Sequence, residues 1–315
     1  MSSPIRNLDE LYPVLNQRRF TAGWHKARPS LWREPITPFV PLHWQYAEAA
    51  GHLDLAGDWI GTDLAERRNL LMFNPVGDND YASLPSLVAA YQMIKPGEAA
   101  RAHRHSPNAL RLILDAGDAV TTVVDGVELP MVNGDVLLTP GWTWHSHFNH
   151  GRDNAYWIDV LDVPLVHRLE SMFFEPHPQE HQAVTQRPAQ STWRFTLADQ
   201  TALLDVAAET EAGHRWADLV APDLRTMRLR VHHLNAGGST LTDRAAENRI
   251  LAVIDGEGEA RIGDTRFSWR RGDVLVVPIW HWQQVSASTD SRWLEVSDYP
   301  VQHLLGLHRQ EHRQG

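Results

Sequence analysis

No cysteine occurs among the 315 residues, so disulfides and thiolate metal ligands are excluded and any transition metal must be held by His, Asp or Glu. No run approaches the roughly 20 consecutive apolar residues of a membrane helix. Positive charge is also short: 29 Lys and Arg stand against 39 Asp and Glu, a net charge of −10, which opposes binding to nucleic acid or to an anionic membrane surface. The N-terminal stretch carries Arg6, Asp9, Glu10, Arg18 and Arg19 and no apolar run behind a basic start. It lacks a secretory signal pattern, and a cytoplasmic protein is expected. The 43% hydrophobic and 22% charged residues suit a packed globular chain. Two cores are expected at this length, because single cores stop growing at about 250–300 residues.

Leu8, Leu11, Val14 and Leu15 recur at helical spacing behind Asn7, a residue suited to capping. The pattern predicts an amphipathic helix over 7–19, weakened by Pro13. Pro29, Pro35, Pro38 and Pro41 then predict an extended arm that carries Trp32, Phe39 and Trp44. From residue 84 short β-rich runs at 112–114, 120–124 and 136–138, separated by Gly and Asp turns, predict an antiparallel β unit. The expected boundaries are a helix and arm over 1–83, a first β unit over 84–170, a linker with short helices over 171–224 and a second β unit over 225–315. Residues 134–145 align without gaps on 272–283, both starting Gly-Asp-Val-Leu and sharing a central proline. Such internal similarity predicts an all-β fold built on a duplicated barrel.

Histidine is plentiful at 18 residues, so spacing rather than number must identify ligands. Gly97, His103, His105 and Gly117, followed by Gly134, Pro140, His145 and Asn149, resemble the two signature motifs of the cupin superfamily. The resemblance implies two double-stranded β-helices of the jelly-roll type, each with a cavity between its sheets. On one strand His103 and His105 share a face, and His145 from another strand completes a three-nitrogen set. Imidazole suits zinc, copper, iron and nickel alike. Two departures from the motif stand out: its glutamate would fall at Ala109 or Leu110, and its second glycine is replaced by Trp142. Without the glutamate an octahedral ion keeps open positions for a chelating substrate and dioxygen. In the second unit Asp243, Ala245 and Gln283 stand where the three histidines stand in the first, so that unit is expected to be metal-free. His281, at the place of Thr143, is expected to share the strand face of Gln283.

Residues 92–164 resemble the gentisate 1,2-dioxygenase family, which includes salicylate and hydroxynaphthoate dioxygenases. The resemblance is carried by His103-Arg104-His105-Ser106, by Ala109-Leu110-Arg111, by residues 139–145 and by residues 157–164. It extends more weakly from Arg67 through the second unit. It implies an Fe(II) enzyme, assembled as a tetramer, whose partners are a small aromatic hydroxy acid and dioxygen. The acid binds through its carboxylate and ortho hydroxyl, and the ring opens between the carbons bearing them. Arg111 matches the family's carboxylate-binding arginine, Arg67 a second one and Gln92 a pocket amide; the guanidinium fork suits a carboxylate. Arg111 lies six residues past His105, an even interval that keeps it on the cavity face if the strand continues. Val88 stands where some relatives carry an aromatic residue, which enlarges the pocket, so a substituted salicylate fits as well as gentisate. His147 resembles the histidine that handles the phenolic proton or steadies bound oxygen, and Asp159 a carboxylate that orients it. Asp162 is assigned to turn structure and Trp142 and Trp144 to packing. Two other readings compete. A metal-dependent isomerase would retain the cupin glutamate, and a non-catalytic ligand-binding cupin would need no open metal face.

Overall fold

Along the strand Ala109–Asp115, Leu110, Leu112 and Leu114 enter one apolar cluster while Ile113 enters another, the period-two division that a sheet covered on both faces requires. The computed structural model describes residues 4–210 and 212–313, with residues 1–36 as one unit and residues 37–315 as a second. In the first unit the helix Leu8–Gln17 starts where Asn7 Oδ1 accepts from Glu10 N at 2.9 Å. It stops short of the expected residue 19, because Arg19 turns to φ 62. Among the described residues no helix is long and apolar enough to cross a membrane.

The second unit holds two pairs of antiparallel sheets. The strands Val88–Ile94, Ala109–Asp115, Val136–Thr139 and Ala155–Leu161 form the centre of one six-stranded sheet, and Ala99–His105, Val120–Val124 and His145–Asn149 belong to the five-stranded sheet that faces it. The same arrangement recurs with Arg228–Leu234, Arg249–Asp255, Val274–Val277 and Ser291–Ser297 in one sheet, and with Thr242–Ala245, Glu257–Ile262 and Gln283–Ala287 in the other. The outer faces of the two six-stranded sheets share one core, in which Leu110, Leu112 and Ile158 meet Leu229, Val231 and Ile250. Each barrel also has its own interior, around Ile113 and Trp157 in one and Leu251 and Trp293 in the other.

Segments expected as connectors close the sheet edges. Of the arm, Leu42–Trp44 pairs with Val274–Val277 of the C-terminal barrel, Tyr46–Trp59 is a helix, and Arg68–Met72 pairs with Val88–Ile94. From the linker, Arg194–Phe195 pairs with Val136–Thr139, and Leu197–Asp205 is a helix begun by a Thr196/Asp199 capping box. Edges covered in this way leave fewer unpaired backbone groups to template aggregation.

Matched turns confirm the internal repeat residue by residue. Gly134 and Gly272 take φ 82 and 83, and Trp142 and Trp280 take φ 67 and 66. The motif glycine missing at position 142 is therefore a left-handed position occupied by tryptophan, at a cost of about 1–2 kcal/mol. Backbone bonds hold it there: Trp142 N donates to His105 O at 2.7 Å, as Trp280 N does to Ala245 O at 2.9 Å. The Arg104 guanidinium lies 4.5 Å from the rings of both Trp142 and Trp144, while Trp142, expected to pack, stays 41% exposed.

A buried carboxylate pins the crossover in each barrel. Asp162 accepts from Asn108 N at 2.8 Å, from Asn108 Nδ2 at 3.0 Å and from Thr226 Oγ1, while Asp298 accepts from Asn248 N and Nδ2, both at 2.8 Å. Asn108 Oδ1 in turn accepts from Gly141 N at 2.8 Å, which sets the turn leading to His145. Asp162→Ala strands these donors in a buried setting, and a loss of about 1–3 kcal/mol in urea unfolding is expected. An unchanged midpoint would show that the crossover does not depend on this carboxylate.

Candidate metal centre

His103 and His145 are direct cross-strand partners, and His105 follows on the same strand as His103. A register shift between Ala100 and His103 marks a bulge, the kind of irregularity that re-aims side chains beside a site. One ring nitrogen from each histidine lies within 4.8 Å of those of the other two. The Nδ1 atoms are already committed to backbone carbonyls two residues away: Arg101 O at 3.1 Å for His103, Pro107 O at 2.8 Å for His105 and Thr143 O at 3.0 Å for His145. A carbonyl only accepts, so each Nδ1 carries the proton and each Nε2 keeps its lone pair for a metal.

Burial, above all, holds these imidazoles neutral. It lowers the His103 pKa to about 3, with the Arg67 cation as the next cause, and lowers His105 and His145 as well. Three neutral nitrogens fit a transition ion. Among the described residues this is the only group of three or more His, Cys, Asp or Glu placed to hold a metal.

Behind the triad runs a continuous polar chain whose members, Arg67 apart, are buried. Arg67 Nε donates to Gln92 Oε1, and Gln92 Nε2 donates to Asp159 Oδ2 at 2.6 Å. Arg111 Nε donates to Asp159 Oδ1 at 3.1 Å and Arg111 Nη1 to Thr122 Oγ1 at 2.9 Å. Arg111 Nη1 also lies 3.4 Å from His147 Nδ1. A guanidinium only donates, so His147 Nδ1 accepts and the proton sits on Nε2. That Nε2 is fully buried and has no hydrogen-bond partner among the described residues, which leaves an unpaired donor inside the barrel.

The two arginines differ. Arg111 is 1% exposed and tied to Asp159, whereas Arg67 keeps 16% of its side chain exposed and has its nearest carboxylate, Glu66, at 3.8 Å. Arg111 faces the barrel interior for a reason other than the expected one. The strand bearing His105 ends there, and the chain crosses at 106–108 to the opposite sheet. Arg111 points inward because Leu110 and Leu112 take the outer core. Val88 shares the inward alternation of Gln92 but lies about 13 Å along the strand from it. His281 sits in the turn before Gln283–Ala287 rather than on the strand, its Nδ1 3.2 Å from Pro278 O.

Sequence reasoning missed Glu66 and Thr122. Glu66 Oε2 lies 3.5 Å from His103 Nδ1, and no periodicity links a loop residue to a strand 37 positions later. Thr122 is opposite His147 in the register, a placement that period-two alternation could have indicated.

Residues 90–161 match the family model described as the cupin domain. The chain is 30% identical to the 5-aminosalicylate 1,2-dioxygenase of a Comamonas species, across 97% of this chain and 90% of that protein. It is 33% identical to the gentisate 1,2-dioxygenase of a Streptomyces species, across 96% and 94%. Among solved structures, the salicylate 1,2-dioxygenase of Pseudaminobacter salicylatoxidans superposes with a TM-score of 0.85 at 26% identity, covering 99% of both chains. A mutant of that enzyme in complex with gentisate superposes at 0.87 with 25% identity, covering 100% and 98%.

Proposed function

Because this chain belongs to the family of bicupin ring-cleaving dioxygenases that includes the gentisate and salicylate 1,2-dioxygenases, we propose that it opens the ring of gentisate or a substituted salicylate between the carboxyl- and hydroxyl-bearing carbons. The N-terminal barrel, residues 84–170, is the catalytic unit in this reading, and His103, His105 and His145 would hold Fe(II). The observation that carries it is the set of three neutral imidazoles with no carboxylate among them, set against an arginine-bearing wall. Bound there, Fe(II) would supply a Lewis-acidic, redox-active centre.

The chain's own groups bind and orient. Arg67, the more accessible arginine, receives the substrate carboxylate, and Gln92 holds its guanidinium in place. Arg111, fixed by Asp159 and Thr122, adds positive potential from behind and sets the tautomer of His147. His147 Nε2–H then donates to an oxygen in the pocket rather than removing a proton. Val88 leaves room for a ring substituent.

Oxygen uptake by anaerobically Fe(II)-loaded protein tests the proposal. Uptake is expected with gentisate or a substituted salicylate, and none with benzoate or with 3-hydroxybenzoate, which cannot chelate. Equal consumption with benzoate would refute it.

A further inference from the structure

The C-terminal barrel has a cavity where the N-terminal barrel has its histidines. Register establishes the correspondence: Asp243 pairs with Gln283 as His103 pairs with His145, and His232 pairs with Trp293 as Gln92 pairs with Trp157. Glu295 follows Trp293 by two residues, as Asp159 follows Trp157. The cavity measures about 130 Å³, and His232, Asp243, Arg249, Gln283, Trp293 and Glu295 are on its wall.

The charges on that wall are already matched. Arg249 donates from Nη1 to Asp243 at 2.8 Å and from Nε to Glu247 at 2.7 Å. Arg230 donates to Asp218 at 2.8 Å, and Glu295 lies 3.6 Å from Arg228. A charged ligand would lose its hydration and find no spare counter-charge among the described residues.

Two polar atoms do remain. Gln283 Oε1 and His232 Nε2 are buried without a hydrogen-bond partner among the described residues. The Gln283 amide nitrogen donates to Asp243 Oδ1 at 3.1 Å, which fixes the orientation of its carbonyl. His232 Nδ1 lies 2.9 Å from His214 Nε2, and the Glu295 carboxylate lies 3.7 Å from His232 Nε2. A carboxylate on that side favours Nε2–H, with His214 donating to Nδ1. Gln283 and His232 both border the cavity, so an acceptor and a donor lacking partners lie at its wall, beside the apolar surface of Leu251, Val285 and Trp293. At about 130 Å³ the space approaches the about 150 Å³ of an apolar cavity that takes up benzene, and its open side lets a larger ring extend toward solvent.

We propose that this cavity is a second binding site, for a small uncharged ring bearing a hydroxyl group, of the phenol class. The hydroxyl donates to Gln283 Oε1 and accepts from His232 Nε2. The inference does not rest on the metal reading and can fail without it.

The probe is 4-fluorophenol, followed by fluorine NMR on the full-length, Fe(II)-loaded protein under argon. Saturable binding is expected in the loaded wild type and in His145→Ala, which carries no iron, with at least a tenfold loss of affinity in Gln283→Leu and no binding left in Leu251→Phe, which fills the space. Absence of binding overturns the proposal. So does binding that is lost in His145→Ala and kept in Leu251→Phe, which would place the phenol in the N-terminal barrel. A crystal soaked in 4-bromophenol decides even if a variant fails to fold: bromine anomalous signal beside Gln283 supports the site, and water alone there refutes it.

Discussion

His105→Ala protein, reconstituted with Fe(II) and desalted, is expected to retain no stoichiometric iron and to show no oxygen uptake with gentisate. The reason is geometric. Each Nε2 is presented by a ring whose Nδ1 is anchored to a carbonyl two residues away, so the two remaining rings are held in place and cannot shift to make up for the third. The described residues around the site supply no fourth His, Asp or Glu as a ligand. The loss should exceed the roughly 10–100-fold that removal of an outer-shell partner costs. His281→Ala, in a turn of the C-terminal barrel, is expected to leave iron content and turnover as they were. If His105→Ala keeps its iron while His281→Ala loses it, the centre lies in the other barrel.

The two arginines should fail in different ways. Arg111→Met leaves Asp159 buried with its ion-pair partner gone, and the expected loss is about 3–5 kcal/mol in urea unfolding. Arg67→Met keeps the aliphatic stem and removes the fork. Hydrogen bonds to charged groups contribute about 1.5–3 kcal/mol, so the KM for gentisate is expected to rise by roughly 10- to 150-fold, with little change in the unfolding midpoint. Midpoints and KM values measured on both variants separate the roles. A large stability loss at Arg67, with KM altered only at Arg111, would exchange them.

Much of the centre was legible in the sequence because its signal is local. His103 and His105 two apart, and His145 inside a motif repeated at Gln283, depend on strand alternation and on short turns that each barrel closes by itself. Arg111 was placed on the correct face by a wrong route, since an even interval carries meaning only within one strand and the chain changes sheet at 106–108. What could not be read was non-local. Leu42–Trp44 finds its partner strand more than 200 residues away, and Glu66 reaches His103 from a loop. The left-handed backbone at Trp142 was visible only as a missing glycine. Its price is met by the hydrogen bond to His105 O, a contact made across a turn that sequence spacing does not encode. The Arg67–Gln92–Asp159–Arg111 chain likewise depends on three strands and a loop meeting, although each member stood out singly.

Crystals of the Fe(II)-loaded protein, measured on both sides of the iron absorption edge, give the most direct test. One anomalous peak within bonding distance of Nε2 of His103, His105 and His145 is the predicted result. A peak in the C-terminal barrel beside Asp243 and Gln283, or a triad whose rings turn away from the ion, would contradict it.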